Sequence, residues 1–125
     1  MSIPKELKYS EEHEWIKVEG EIGIIGISDH AQSQLGDIIF VDINSIGENI
    51  SQNEVFGSVD AVKTASDLFL PVGGEILEFN DQLESNPELV NTDPYGDGWI
   101  IKIKINDLSE LDSLMDDESY KSYIG

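Results

Sequence analysis

The stretch Val55-Phe56-Gly57-Ser58-Val59-Asp60-Ala61-Val62-Lys63-Thr64-Ala65-Ser66-Asp67-Leu68-Phe69-Leu70 reads as strand, turn and strand, with a lysine at its centre. Val55 to Val62 and Leu68 to Leu70 flank the Lys63 turn, and Pro71 to Gly74 turns the chain again. Lys63 is the only basic residue between Lys17 and Lys102. Most lysines at hairpin tips are solvated ends that make weak surface ion pairs, so position alone assigns Lys63 no further task.

Hairpins extend on both sides of this segment. Upstream, His13 to Val18 alternates polar and apolar residues, Glu19-Gly20 supplies a turn, and Glu21 to Ile27 continues as an isoleucine-rich strand. Ser28 offers an N-cap, Asp29 complements the positive end of a helix and Gly36 stops it, which predicts a short helix over Ser28 to Leu35. Asp37 to Ile43 returns to strand. Downstream, Glu75 to Phe79 reads as a strand, and the polar Asn80 to Gly98, with Pro87 and Pro94, reads as a long wrapping loop with room for one helical turn. Trp99 to Ile105 gives the clearest alternation, with Trp99, Ile101, Ile103 and Ile105 expected on one face and Lys102 and Lys104 on the other. Asp107 and Glu110 have capping-box spacing before a helical run, and Asp116-Asp117-Glu118 begins a last helix through Tyr123. The expected fold is mainly β: an antiparallel sandwich or flattened barrel with a short internal helix and C-terminal helices, in one domain over residues 1–125.

Charge restricts the partners. The 125 residues carry 26 acidic and 7 basic side chains, all of the latter lysines, for a net charge of −19. Duplex nucleic acid and anionic lipid both call for a cationic surface, so nucleic-acid and membrane partners are not expected. Like charge on this scale keeps a protein soluble and favours a monomer. There is no cysteine, hence no disulfide, thiolate nucleophile or thiolate-bound metal. The start lacks the basic-then-apolar order of a signal peptide, and the want of a basic, Arg-rich leader suggests the bacterial cytoplasm in preference to an organelle precursor.

Enzyme readings are thin. His13 and His30 are the only neutral-pH bases, and Ser28-Asp29-His30, contiguous on a helix, point in different directions and cannot form a triad among themselves. Gly20, Gly23 and Gly26 lack the lysine and spacing of a phosphate loop. Asn91, Asp93 and Gly96 fit the start of a calcium loop, but Lys102 stands where a bidentate glutamate is required. Asp116-Asp117-Glu118 is read as complementing a helix dipole and not as a cation site.

Several runs resemble one family in order and over nearly the whole chain. They are His13-Glu14-Trp15, Gly26 to Gln32, Leu35 to Val41, Phe56 to Asp67, Pro71 to Ile76, Asn86 to Asn91, Asp93 to Gly96 and Gly98-Trp99, and together they resemble the H protein of the glycine cleavage system. That resemblance implies a non-catalytic carrier with lipoate in amide linkage to Lys63. It further implies traffic with glycine decarboxylase, which would load an aminomethyl group, with an aminomethyltransferase, which would pass the carbon to tetrahydrofolate, and with dihydrolipoamide dehydrogenase, which would reoxidise the dithiol. A lipoate ligase or a lipoyl or octanoyl transferase would modify Lys63. Glu14 and Asp67 match positions that would meet the cationic amine of the loaded arm, against the plainer reading that both are exposed acids among many. Asp60 and Ala61 stand where the family often has Glu and Ser, and Thr64 where a smaller residue is common. A biotin carrier would place Met at both neighbours of the lysine, where Val62 and Thr64 stand. A relay donor of lipoyl groups and an unmodified acidic interaction module are the other readings.

Overall fold

The computed structural model describes residues 2–125. Its strands are β1 (Lys8–Tyr9), β2 (Glu14–Glu19), β3 (Ile22–Ile27), β4 (Ile38–Asp42), β5 (Asn49–Ile50), β6 (Val55–Ala61), β7 (Ala65–Phe69), β8 (Gly74–Phe79) and β9 (Ile101–Ile105). Helices α1 (Asp29–Leu35), α2 (Gln82–Ser85), α3 (Leu89–Thr92) and α4 (Asp117–Ile124) are joined by a 3-10 helix over Leu108–Ser113. Six strands form one sheet in the order β1-β2-β3-β9-β8-β5, and β4-β6-β7 form a second. Every pairing is antiparallel. The architecture is therefore the expected sandwich, with open sheet edges instead of a closed barrel.

The core lies between the two sheets. Ile16, Ile25, Ile76, Ile101 and Ile103 face it from the large sheet, and Val41, Phe56, Val59, Ala61 and Leu68 from the small one. A second cluster of Leu7, Tyr9, Trp15 and Tyr120 fixes α4 against the N-terminal strands. Trp15 explains one strand glycine: a Cβ at Gly26, its cross-strand partner, would come within 2.7 Å of the indole ring.

Three expectations are corrected. Asn80 to Gly98 does more than wrap: it forms α2 and α3, and their Leu83 and Val90 are buried in the main core. Each helix turns one apolar side chain inward, a signal too short to show as periodicity. Trp99 does not share the isoleucine face. It packs with the Trp15 cluster while the Lys102 ammonium lies 4.9 Å from its ring centroid, so the inward ladder starts at Ile101. The capping box after β9 is half made. Asp107 accepts from Ser109 N, but Glu110 turns away to accept from Gly73 N at 2.8 Å, and the segment closes as a 3-10 helix.

Candidate functional site around the β6–β7 turn

The β6–β7 ladder runs from Val55↔Phe69 to Asp60↔Ala65 and leaves Val62 and Lys63 at its tip. Ala61 N donates to Thr64 O at 2.7 Å, closing the turn, and Val62 N donates to Asp37 O at 3.0 Å, tying the tip to the start of β4. The root of Lys63 is thus held on both sides while its side chain is exposed. The ion pairs among the described residues, Lys17 with Glu19 and Lys102 with Glu78, do not involve it.

The lysine stem lies over Gly36, the residue that ends α1. A Cβ at Gly36 would stand 3.3 Å from Lys63 Cε and 3.8 Å from Nζ. Gly36 has φ 81° and ψ −158°, a conformation that is essentially restricted to glycine. The same residue therefore stops α1 and leaves room for the stem.

Next to Gly36, Leu35 borders a cleft of about 170 Å³ lined also by His13, Glu14, Ile27, Ala31 and Leu68, with Ser66 and Asp67 at its β7 side. Glu14 is not an exposed acid: it is 2% exposed. Its Oε1 accepts from Ser10 Oγ at 2.7 Å and its Oε2 from Phe69 N at 3.2 Å. Burial pushes its carboxyl up to about 8 in spite of those two donors, which favours the protonated acid at neutral pH. Asp67 is exposed on the edge strand and, through the pairings Asp42↔Ser58 and Ser58↔Asp67, shares an outer row with Asp42. One carboxyl is deep, the other at the rim.

A polar network holds the cleft from behind. Tyr120 Oη on α4 lies 2.9 Å from His13 Nδ1 and 2.7 Å from Ser28 Oγ, and its ring stacks on Tyr9 with centroids 4.5 Å apart. Ser28 Oγ also caps α1 by accepting from Ala31 N, as its position predicts. Burial, then the neighbouring His30, lowers the affinity of His13 for a proton. His13 adopts φ 73°, which turns the backbone so that its carbonyl accepts from Ser28 N.

Sequence reasoning missed Ser10, Tyr120 and Asn91. Asn91 accepts from Ile38 N and donates to Gln32 Oε1 and Gly36 O, locking the α1–β4 connection on which Lys63 rests. Its place in a polar segment with calcium-loop spacing gave no sign of this. Asp116 caps α4 by accepting from Ser119 N, and no group of three or more His, Cys, Asp or Glu among the described residues is arranged to hold a metal ion.

Comparison with known proteins places this geometry. The Glycine cleavage H-protein family matches residues 7–125. The chain belongs to that family. It is 58% identical over 124 residues to the glycine cleavage system H protein of Bacteroides thetaiotaomicron, covering 99% of this chain and 98% of that one. The glycine cleavage system H protein of Symbiobacterium thermophilum is 52% identical over 98% of this chain and 95% of its own. Among solved structures, the glycine cleavage system H protein of Mycobacterium marinum superposes with a TM-score of 0.89 at 34% identity, covering 98% of this chain and 99% of that one. Membership of the H-protein family thus extends over both sheets and the C-terminal helix.

Proposed function

We propose that this chain is a single lipoyl-carrier domain of the glycine cleavage system, non-catalytic itself, with lipoate in amide linkage to Lys63 Nζ. The observation that carries the reading is a lone lysine on an exposed, doubly anchored turn whose stem lies beside a cleft with a buried carboxyl, in a member of the H-protein family. The residues fit the group: the amine is open to acylation, Ile27, Ala31, Leu35 and Leu68 offer an apolar wall to an aliphatic arm, and Glu14 and Asp67 offer acceptors to an amine at its end.

When bound, lipoate supplies a cyclic disulfide that accepts an aminomethyl group as it is reduced and is restored when the dithiol is reoxidised. The chain's own contribution is to tether, orient and shelter. The β6–β7 turn fixes the root and keeps the working group at high local concentration near a docked partner. A cationic amine entering the cleft would favour the ionised Glu14 carboxylate that burial alone disfavours. Glycine decarboxylase, an aminomethyltransferase and dihydrolipoamide dehydrogenase are the partners this reading assigns, with a lipoate ligase or a lipoyl or octanoyl transferase as the modifying enzyme.

Peptide mass spectrometry after incubation with a lipoate ligase, ATP and lipoate tests the assignment. One lipoyl adduct on Lys63, absent from Lys63→Arg and aminomethylated when glycine decarboxylase and glycine follow, is the expected result. An unmodified Lys63, under conditions that modify a known lipoyl domain, would refute it.

A further inference from the structure

β4 carries two adjacent apolar residues that both face solvent. Ile38 pairs with Ala61 and Phe40 with Asp60, so Ile39 is an extra residue opposite a continuous partner strand. Such a bulge breaks the alternation of faces, which would otherwise send either Ile39 or Phe40 into the core. Here Ile39 is 56% and Phe40 52% exposed, while Ile38 and Val41 on either side are buried. Val62, 72% exposed, stands on the adjoining turn, whose backbone is tied to the start of β4 by the Val62 N to Asp37 O bond. Ile39 and Phe40 thus stand opposite Asp60 and Ala61, the residues that lead into Val62 and Lys63, with Asp37 just before β4, Asp42 at its end and Asp60 on β6.

We propose that Ile39, Phe40 and Val62 form the docking surface for the enzyme that acylates Lys63, a partner with an apolar centre and a basic rim; this rests on the carrier assignment above. Two arguments select that occupant. The first is covalent reach. An enzyme that forms the amide must bring its acyl carbon to Nζ, only a four-carbon stem from the backbone, and so must lie against the turn, whereas later partners meet the far end of the arm. The second is charge: apart from Lys63 the small sheet and its turn carry no cation, and the acids beside the patch attract basic groups. In the transfer, Nζ loses a proton and attacks the acyl carbon of the lipoate–AMP anhydride formed from lipoate and ATP. The N–C bond forms as the C–O bond to AMP breaks.

The test is the steady-state kinetics of a lipoate ligase, with ATP and lipoate, on wild type, Ile39→Ser/Phe40→Ser, Val62→Ser, and a control, Ile46→Ser/Leu77→Ser, that removes exposed apolar residues elsewhere. Both patch variants should lose about 10-fold or more in kcat/KM through KM, with kcat and the rate of chemical acylation of Lys63 by a small activated ester unchanged. The control should behave as wild type. Wild-type KM should also rise with salt. If Lys63 of the wild type is modified and the patch variants match it, the docking surface is refuted and the carrier assignment stands. If the wild type is not modified, the carrier assignment falls, and the docking surface with it. Val62→Ser, on an exposed turn, keeps the question answerable should the double variant misfold.

Discussion

Phe69 N on β7 donates to Glu14 Oε2 on β2 at 3.2 Å, joining the two sheets through a side chain that is almost wholly buried. A single carboxyl thus serves as a structural acceptor and as the polar floor of the cleft beside Lys63. Because burial raises the proton affinity of this carboxyl in the folded chain, the contact has a thermodynamic signature.

The folded carboxyl has its proton affinity raised to about 8, above that of an ordinary glutamate, so folding takes up a proton between the two values. The stability this group contributes is full below the ordinary glutamate range and is lost as pH rises through 8. Across about pH 5 to 8 the slope assigned to Glu14 is a fall of about 1.4 kcal/mol per pH unit. Urea unfolding at several pH values should show this fall in the wild type and a flatter profile in Glu14→Gln. Parallel profiles would mean that Glu14 is ionised throughout.

Gly36→Ala should cost about 1–3 kcal/mol, because φ 81° with ψ −158° is strained for any residue with a Cβ. The new methyl would also press on Lys63 Cε. Denaturant melts measure the first effect. A changed NMR environment of the Lys63 ε-methylene protons, against unchanged core methyl signals, reads the second.

Tyr120→Phe keeps the stack on Tyr9 but removes the hydroxyl that meets both His13 and Ser28. A loss of about 1–3 kcal/mol is expected, since the buried Ser28 and the half-buried His13 are left with fewer bonds. Because His13 then lacks its hydroxyl partner, its NMR titration should shift; an unaltered midpoint would show that the contact is not made in solution.

Leu83→Ala tests whether the segment after β8 is core or wrapping. Its side chain is 1% exposed, and its truncation should cost roughly 2–5 kcal/mol. A cost near zero, as for a surface loop, would contradict the packing described.

Much of this arrangement was legible in the chain. The hairpins were, since alternation and turn residues coincide at His13 to Ile27 and around Lys63, and so was α1, because Ser28 and Gly36 are an unambiguous cap and stop. What escaped depends on distant partners. Glu14 reads as one acid among 26 until β7 and Ser10 are seen to enclose it. Trp99 fits the isoleucine period, yet Trp15 and Lys102 draw it to the other side. Asn91 stands 53 residues from the Ile38 amide it satisfies, and no local pattern encodes that separation. The bulge at Ile39 is also silent in sequence, because adjacent apolar residues in a strand suggest burial on both faces and not a shared exposed one.

Lys63 is the only lysine on the small sheet and its turn, and that solitude makes its chemical state visible from outside. Amide formation would remove one positive charge from a chain of −19, and would remove it from an end where no other cation balances the acids. The capped and uncapped forms would then differ in anion-exchange retention and native-gel mobility by a full unit of charge, concentrated at one pole. A cationic partner would sense the same difference, holding the finished carrier more firmly than the bare one without touching the arm.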